Sequence, residues 1–195
     1  MIYRHPDNPV AVPISAIAEI EAAEPGRHYA QLKWDGWRLL CYKEGGVWEF
    51  HTKHEGTKRP MPAALTGQLE ALGFPDGTGL DAERMGMRSV EHTGGREWLV
   101  LFDLHYSGGE WQGNIPYEER LSKLERLVSS RRAGVSAPDI EMVETVGEGF
   151  AGLYEKSKGN PLTEGIVLKY RKGLLKGGFS GCRDNGGWLK AKWRQ

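Results

Sequence analysis

Hydrophobic and polar residues alternate with two different periods along this chain, and the period changes at glycine and proline. From Pro13 to Glu24, Ile14, Ile17, Ala18 and Glu21 fall on one face of a helix that Pro25-Gly26 terminates. The period then shortens to two. His28 to Trp34 and Trp37 to Lys43 read as strands, and Glu44-Gly45-Gly46 turns the chain into a third, Val47 to Thr52. A second helix is predicted from Pro62 to Leu72. A strand from Leu80 to Met85 sets Asp81 and Glu83 on one side and Leu80 and Ala82 on the other. Trp98 to Tyr106 is apolar on both faces apart from Asp103, the pattern of a central, buried strand. Tyr117, Leu121, Leu124, Leu127 and Val128 then form one helical stripe; Pro116, Glu118 and Glu119 suit its first turn, and Arg131, Arg132 and Gly134 its end. A helix near Glu148 to Lys158 and strands at Gly165 to Arg171 and Trp188 to Trp193 complete the series. Helices and strands without regular βαβ alternation predict one α+β domain with antiparallel sheets.

Composition adds limits to this picture. A chain of 195 residues, 39% hydrophobic and 27% charged, can bury a core without metal or disulfide staples. Cys41 and Cys182 form no CxxC pair, so neither a disulfide framework nor a zinc ribbon is signalled. Residues 1 to 20 carry Arg4, His5, Asp7, Glu19 and three prolines where a leader would need an apolar run, so a cytoplasmic protein with no membrane segment is expected. The 26 Lys and Arg balance 26 Asp and Glu, which excludes a generally basic protein. The balance is uneven, however. From Gly165 to Gln195 eight basic residues stand against Asp184 alone, a net +7, leaving −7 on the first 164 residues. A neutral total therefore conceals a basic C-terminal sixth, compatible with a phosphate-bearing partner.

Candidate chemistry starts at Lys33-Trp34-Asp35-Gly36-Trp37-Arg38. A lysine amine with a free pKa of about 10.4 acts as a nucleophile only when burial or nearby cations favour its neutral form. Arg38 is a candidate for that influence. The same hexapeptide also fits a plain hairpin corner with a solvated lysine and packing tryptophans. Four more segments follow in order: Leu80-Asp81-Ala82-Glu83, Leu101-Phe102-Asp103-Leu104, Glu164-Gly165-Ile166-Val167-Leu168-Lys169, and Trp188-Leu189-Lys190-Ala191-Lys192. The ordered set, spanning Lys33 to Lys192, resembles the covalent nucleotidyltransferase family of ATP-dependent DNA ligases, RNA ligases and mRNA capping enzymes.

That resemblance implies an α+β, ATP-grasp-like nucleotidyltransferase domain over residues 1–195, with helices flanking antiparallel sheets and a nucleotide cleft between the sheets. It implies that Lys33 attacks ATP and becomes lysyl-AMP, with Asp35 and Arg38 assisting. Gln31, Leu32, Arg38, Glu83, Phe102, Lys169, Lys190 and Lys192 would contact the nucleotide, Phe102 by stacking on adenine and the three lysines by holding the α-phosphate. Glu83 and Glu164 would hold Mg²⁺ or Mn²⁺, or the ribose hydroxyls. The implied activity is nick sealing by an ATP-dependent ligase, acting as a monomer on double-stranded nucleic acid, with DNA favoured over RNA. RNA ligation, GTP-dependent capping and a binding module that does not seal are the alternatives.

Some features depart from the family pattern or stand outside it. Ala82 takes a position usually held by glycine, and Lys53-His54-Glu55-Gly56 stands where ligases commonly show Ser-Arg-x-Gly, so Lys53 or His54 would have to replace that arginine. An OB domain, which usually follows in ligases, is expected to be absent. His51 and His54 point to opposite faces of a strand and make a poor metal pair. Strand alternation places Lys190, Lys192 and Arg194 on one face and Leu189, Ala191 and Trp193 on the other. Gly173 to Gly187 reads as a surface loop, and its Lys176 and Arg183, with Lys53 and Arg194, are candidates for nucleic-acid contact.

Overall fold

A computed structural model describes residues 3–52, 58–88, 90–132, 134–177 and 183–194. Trp37–Glu44 and Val47–Thr52 pair antiparallel across the Glu44-Gly45-Gly46 turn as the alternation predicts, whereas His28–Trp34, one short corner earlier, lies in the other sheet. β1 (Asp7–Ala11) and α1 (Ser15–Ala23) lead to β2 (His28–Trp34), β3 (Trp37–Glu44) and β4 (Val47–Thr52). α2 (Ala63–Ala71) is followed by β5 (Gly79–Met85), α3 (Val90–Thr93), β6 (Trp98–Ser107) and β7 (Glu110–Trp111). Then come α4 (Tyr117–Arg132), β8 (Ile140–Met142), β9 (Thr145–Val146), α5 (Phe150–Lys158), β10 (Thr163–Tyr170) and β11 (Arg183–Lys192).

These strands make two sheets. One runs β1-β11-β10-β2-β9 and the other β4-β3-β5-β6-β7, with β8 added beside β6. The ladders are antiparallel except that β1 lies parallel to β11 and β8 parallel to β6. Antiparallel pairing thus predominates, as expected, with parallel neighbours at these two places. β6, α4 and β8 form a crossover whose returning strand is only three residues long, too short to show a period. Pro9 masks β1 from pattern reading, yet a proline is tolerated in a strand at a sheet edge.

Each sheet has a helix-covered outer face. Leu39, Leu80, Ala82, Leu99 and Leu101 pack with Leu65 and Leu69 of α2 and Leu124 and Val128 of α4. On the second sheet, Ala30, Leu32, Ile166, Leu168 and Ala191 pack with Ile17 of α1 and Phe150 and Leu153 of α5. Strand alternation consequently turns the polar partners of these residues toward the space between the sheets. No helix among the described residues is long and apolar enough to cross a membrane.

Candidate active site

The space between the sheets is a cleft of about 600 Å³ lined by residues of both. On the helix-backed sheet of β2, β10 and β11, side chains meet in rows. Tyr29, Lys169 and Trp188 form one row; Gln31, Val167 and Lys190 the next; and Lys33, Gly165 and Lys192 the third. One end of the cleft is therefore aromatic and the other cationic. Leu32 contributes to the wall, although its side chain lies in the core beneath α1 and α5.

Lys33 stands in the cationic row. Its Nζ forms an ion pair with Oε1 of Glu164, while Lys192 Nζ donates to the other oxygen at 2.6 Å. Burial disfavours a charged Glu164, but Lys33 and Lys192 outweigh it and hold the carboxyl below its usual range. Two strand ends must come very close for this to happen. Gly165 adopts φ +148°, and a Cβ there would lie 2.0 Å from the Ala191 carbonyl oxygen. Gly165→Ala is expected to cost about 2–3 kcal/mol through this clash and backbone strain, read as a lower urea midpoint; an unchanged midpoint would contradict the close approach. Gly36 plays the corresponding part across the cleft, because its Cβ would meet the Arg84 carbonyl at 2.5 Å. The Gly36 N–H donates to Glu83 Oε1 at 3.1 Å, tying the β2–β3 corner to β5.

Glu83 faces the cleft, and burial pushes its carboxyl up to about 7 against the pull of Lys33 and Arg38. Arg38 also lines the cleft, with its guanidinium carbon 5.5 Å from the Phe102 ring centre. Its fork donates to both Asp81 oxygens, at 2.9 and 2.5 Å, and its Nη1 donates to the Asp7 carbonyl at 2.6 Å. Burial opposes ionisation of Asp81, but this fork overcomes it and holds the carboxyl well below the ordinary carboxylate range. Arg38 thus braces β3 against β5 and β1. The sequence motif contains Asp81 but suggests no role for it.

Phe102 lines the cleft where β6 bulges: Ala82 pairs with Leu101 while Asp81 pairs with Asp103. The extra residue aims Phe102 at the cleft without disturbing the alternation on either side. Asp103 beneath it is fully buried and takes the Arg120 fork at 2.8 and 2.9 Å. Tyr117 donates to the Phe102 carbonyl at 3.2 Å and receives a bond from Gln31 Nε2 at 2.5 Å. Gln31 also donates to Thr145. Tyr117, legible in the sequence only as part of an apolar helix stripe, is the residue that joins α4 to the aromatic end.

Lys169 lies at that end. Its Nζ is 4.8, 4.5 and 4.4 Å from the ring centres of Phe102, Tyr117 and Trp188 and donates to the Phe102 carbonyl at 3.3 Å. Burial lowers its pKa to about 7. Between that value and the ordinary lysine value, the unfolded chain binds a proton that the folded chain lacks, so this group adds stability as pH rises. Lys169→Met is therefore expected to stabilise most at low pH. Its advantage over the wild type should shrink by up to about 1.4 kcal/mol per pH unit above neutrality. Urea midpoints at several pH values check this, and a constant advantage would refute it.

Asp35 lies at the opposite end and accepts from Arg88 at 3.0 Å and Arg194 at 2.8 Å. Arg59 and Arg88 also line the cleft; both sit in connections without periodic pattern, and sequence reading missed them. Lys190 and Lys192 line the cleft on the face predicted for them. Lys176 stands outside it: its side chain is exposed, and its backbone N–H donates to Asp7 at 2.7 Å. The expected loop from Gly173 is partly structured, with Leu175 buried and Arg183 already in β11. Lys53, His54 and Cys182 lie outside the described residues. Among the described residues no three His, Cys, Asp or Glu side chains converge on a metal position. Glu83 and Glu164, the two acids expected to hold a metal, both line the cleft, with the two oxygens of Glu164 taken by Lys33 and Lys192.

No protein-family model matches the sequence, and no curated protein matches it. Solved structures do. One described as Pmar-Lig_Pre superposes with a TM-score of 0.71 at 19% identity, over 97% of this chain and 46% of that one. A mycobacterial DNA ligase D complexed with ATP and MES gives 0.66 at 24% identity, over 85% and 54% of the two chains. A Chlorella virus DNA ligase-adenylate gives 0.60 at 17% identity, over 98% and 69%. The chain thus spans about half the length of the first of these. Its two sheets, flanking helices and intervening cleft are the fold of the nucleotidyltransferase domain of ATP-dependent DNA ligases.

Proposed function

We propose that this chain is an ATP-dependent polynucleotide ligase that seals nicks in DNA, with residues 1–195 working as one nucleotidyltransferase domain. The observation that carries the reading is the cationic row: Lys33, Lys192 and Glu164, from segments far apart in sequence, meet at one point of a cleft. In this reading the neutral Lys33 amine attacks the α-phosphorus of ATP. A P–N bond forms, the bond to the bridging oxygen breaks, and pyrophosphate leaves with that electron pair while the amine proton passes to water. AMP then moves to the 5′-phosphate of a nick, and the 3′-hydroxyl displaces it.

The residues of the chain divide this work. Phe102 offers its ring to adenine, and Gln31, fixed by Tyr117, stands beside it. Lys190 and Lys192 neutralise the α-phosphate, since phosphoryl transfer depends on positioning and charge compensation. Lys169 supports the ring from below and adds charge when protonated. Glu83 and Glu164 would hold Mg²⁺ or Mn²⁺, which would supply further charge neutralisation.

Incubation with α-labelled ATP followed by denaturing electrophoresis tests the first step. Label should stay on the wild-type chain and leave on addition of pyrophosphate; an unlabelled chain would refute the reading. Nicked duplexes with DNA and RNA strands in every combination test the rest. Sealing of DNA nicks is the expected result, whereas sealing confined to RNA strands would transfer the assignment to RNA ligation.

A further inference from the structure

At the mouth of the cleft one carboxylate bridges two arginines that come from opposite sheets. Asp35 Oδ1 accepts from Arg88, in the connection after β5, and Oδ2 accepts from Arg194, just beyond β11. Arg194 also donates to the Pro161 carbonyl at 3.1 Å. The arginines are open to solvent, with side chains 57% and 32% exposed, while Asp35 is only 18% exposed. Two guanidinium groups share one carboxylate, so the cluster keeps a net positive charge. Each guanidinium carries five N–H donors, more than Asp35 can take up.

The order of rows gives this cluster a direction. Along β2, Gln31 stands beside the aromatic end and Lys33 in the cationic row, and Asp35, the first residue past the strand, lines the cleft beyond them. Successive positions on one face are separated by about 6.6 Å. A nucleotide with its base against Phe102 and its α-phosphorus at Lys33 would therefore point its remaining phosphates toward Arg88 and Arg194. The nucleophile and leaving group lie roughly in line across the reacting phosphorus, so charge develops on the far side from Lys33.

We propose that Arg88 and Arg194, held by Asp35, form the subsite for the β- and γ-phosphates and for the departing pyrophosphate. The inference rests on the reading of the cleft as an ATP site. Asp35 acts in it as a positioning residue, keeping two long side chains from opposite sheets at one point. Arginine suits the task because its fork can take two phosphate oxygens and always remains charged.

Calorimetric titration of the wild type and of the Arg88→Gln/Arg194→Gln double variant with ATP, AMP and inorganic pyrophosphate tests the subsite without requiring chemistry. The wild type should prefer ATP to AMP by about tenfold or more, and the double variant should lose most of that preference. AMP affinity should change less than about twofold, and Arg88→Lys/Arg194→Lys should restore part of the preference. In the reverse reaction the double variant should need about tenfold more pyrophosphate to strip AMP from the enzyme. No preference for ATP in the wild type, or the same preference in both proteins, would overturn the subsite. So would a double variant that loses affinity for nicked DNA with its pyrophosphate dependence intact. If the wild type takes no label but the ATP preference exists and disappears with the two arginines, Lys33 chemistry fails and the subsite stands.

Discussion

Lys33→Arg is expected to reduce self-labelling by ATP on the order of 10³-fold or more while leaving the fold intact. Arginine can keep the ion pair with Glu164, so the packing of β2 against β10 should survive. Its guanidinium remains protonated and offers no lone pair to phosphorus. Lys33→Ala removes the nucleophile as well as the ion pair, and it should match Lys33→Arg in activity but unfold at lower urea. Lys192→Ala separates attack from neutralisation. Lys192 shares Glu164 with Lys33, and its loss should slow labelling by about 10- to 100-fold without abolishing it. A nick already carrying a 5′-adenylate bypasses the first step, so Lys33→Arg should still seal it. Equal labelling of the wild type and Lys33→Arg would place the nucleophile on another amine and remove the basis of the proposed mechanism.

The residues that form the cationic row were legible because strand alternation and an ordered set of short motifs pointed to the same side chains. Lys190 and Lys192 lie on one face and Leu189 and Ala191 on the other, as a period of two requires. α4 was equally plain, since its stripe of Tyr117, Leu121, Leu124 and Val128 is repeated often enough to fix the face. What stayed hidden depends on pairing between distant segments. β8 and β9 are three and two residues long and exist only because β6 and β2 offer them edges. Arg38 looked like a modifier of Lys33 from its place in the hexapeptide. Its partner Asp81 lies on the neighbouring strand two residues from Glu83, the residue directly opposite Arg38, where no local reading could place it. Arg88 and Arg59 carry no periodic signal, and their position at the cleft follows from the sheet connections alone.

Arg120→Met is expected to be the most destabilising of the substitutions considered, at about 3–5 kcal/mol, because it strands a charge. Asp103 and Arg120 are both fully buried, and the arginine also donates to the Ile115 and Gly173 carbonyls at 2.7 and 3.1 Å. Burial opposes a charged Asp103, and the Arg120 fork overcomes that cost and lowers its pKa. With methionine in place, the carboxyl loses this compensation and its pKa rises above the unfolded value. The variant's deficit should consequently be fully present at neutral pH and diminish as acid protonates Asp103. Adding Asp103→Asn removes the charge while keeping an oxygen to accept from the Leu104 N–H, which now donates at 2.8 Å. The double variant should regain at least about half of the lost stability, the remainder reflecting the Ile115 carbonyl left without its donor, since the Gly173 carbonyl still accepts from the Tyr117 N–H at 2.9 Å. Asp103 adjoins Phe102, whose carbonyl is held by Tyr117 and Lys169, so the ion pair also fixes the aromatic end of the cleft. Weaker ATP binding should accompany the lost stability in Arg120→Met. Equal urea midpoints for the single and double variants would show that the buried charge is not what Arg120 compensates.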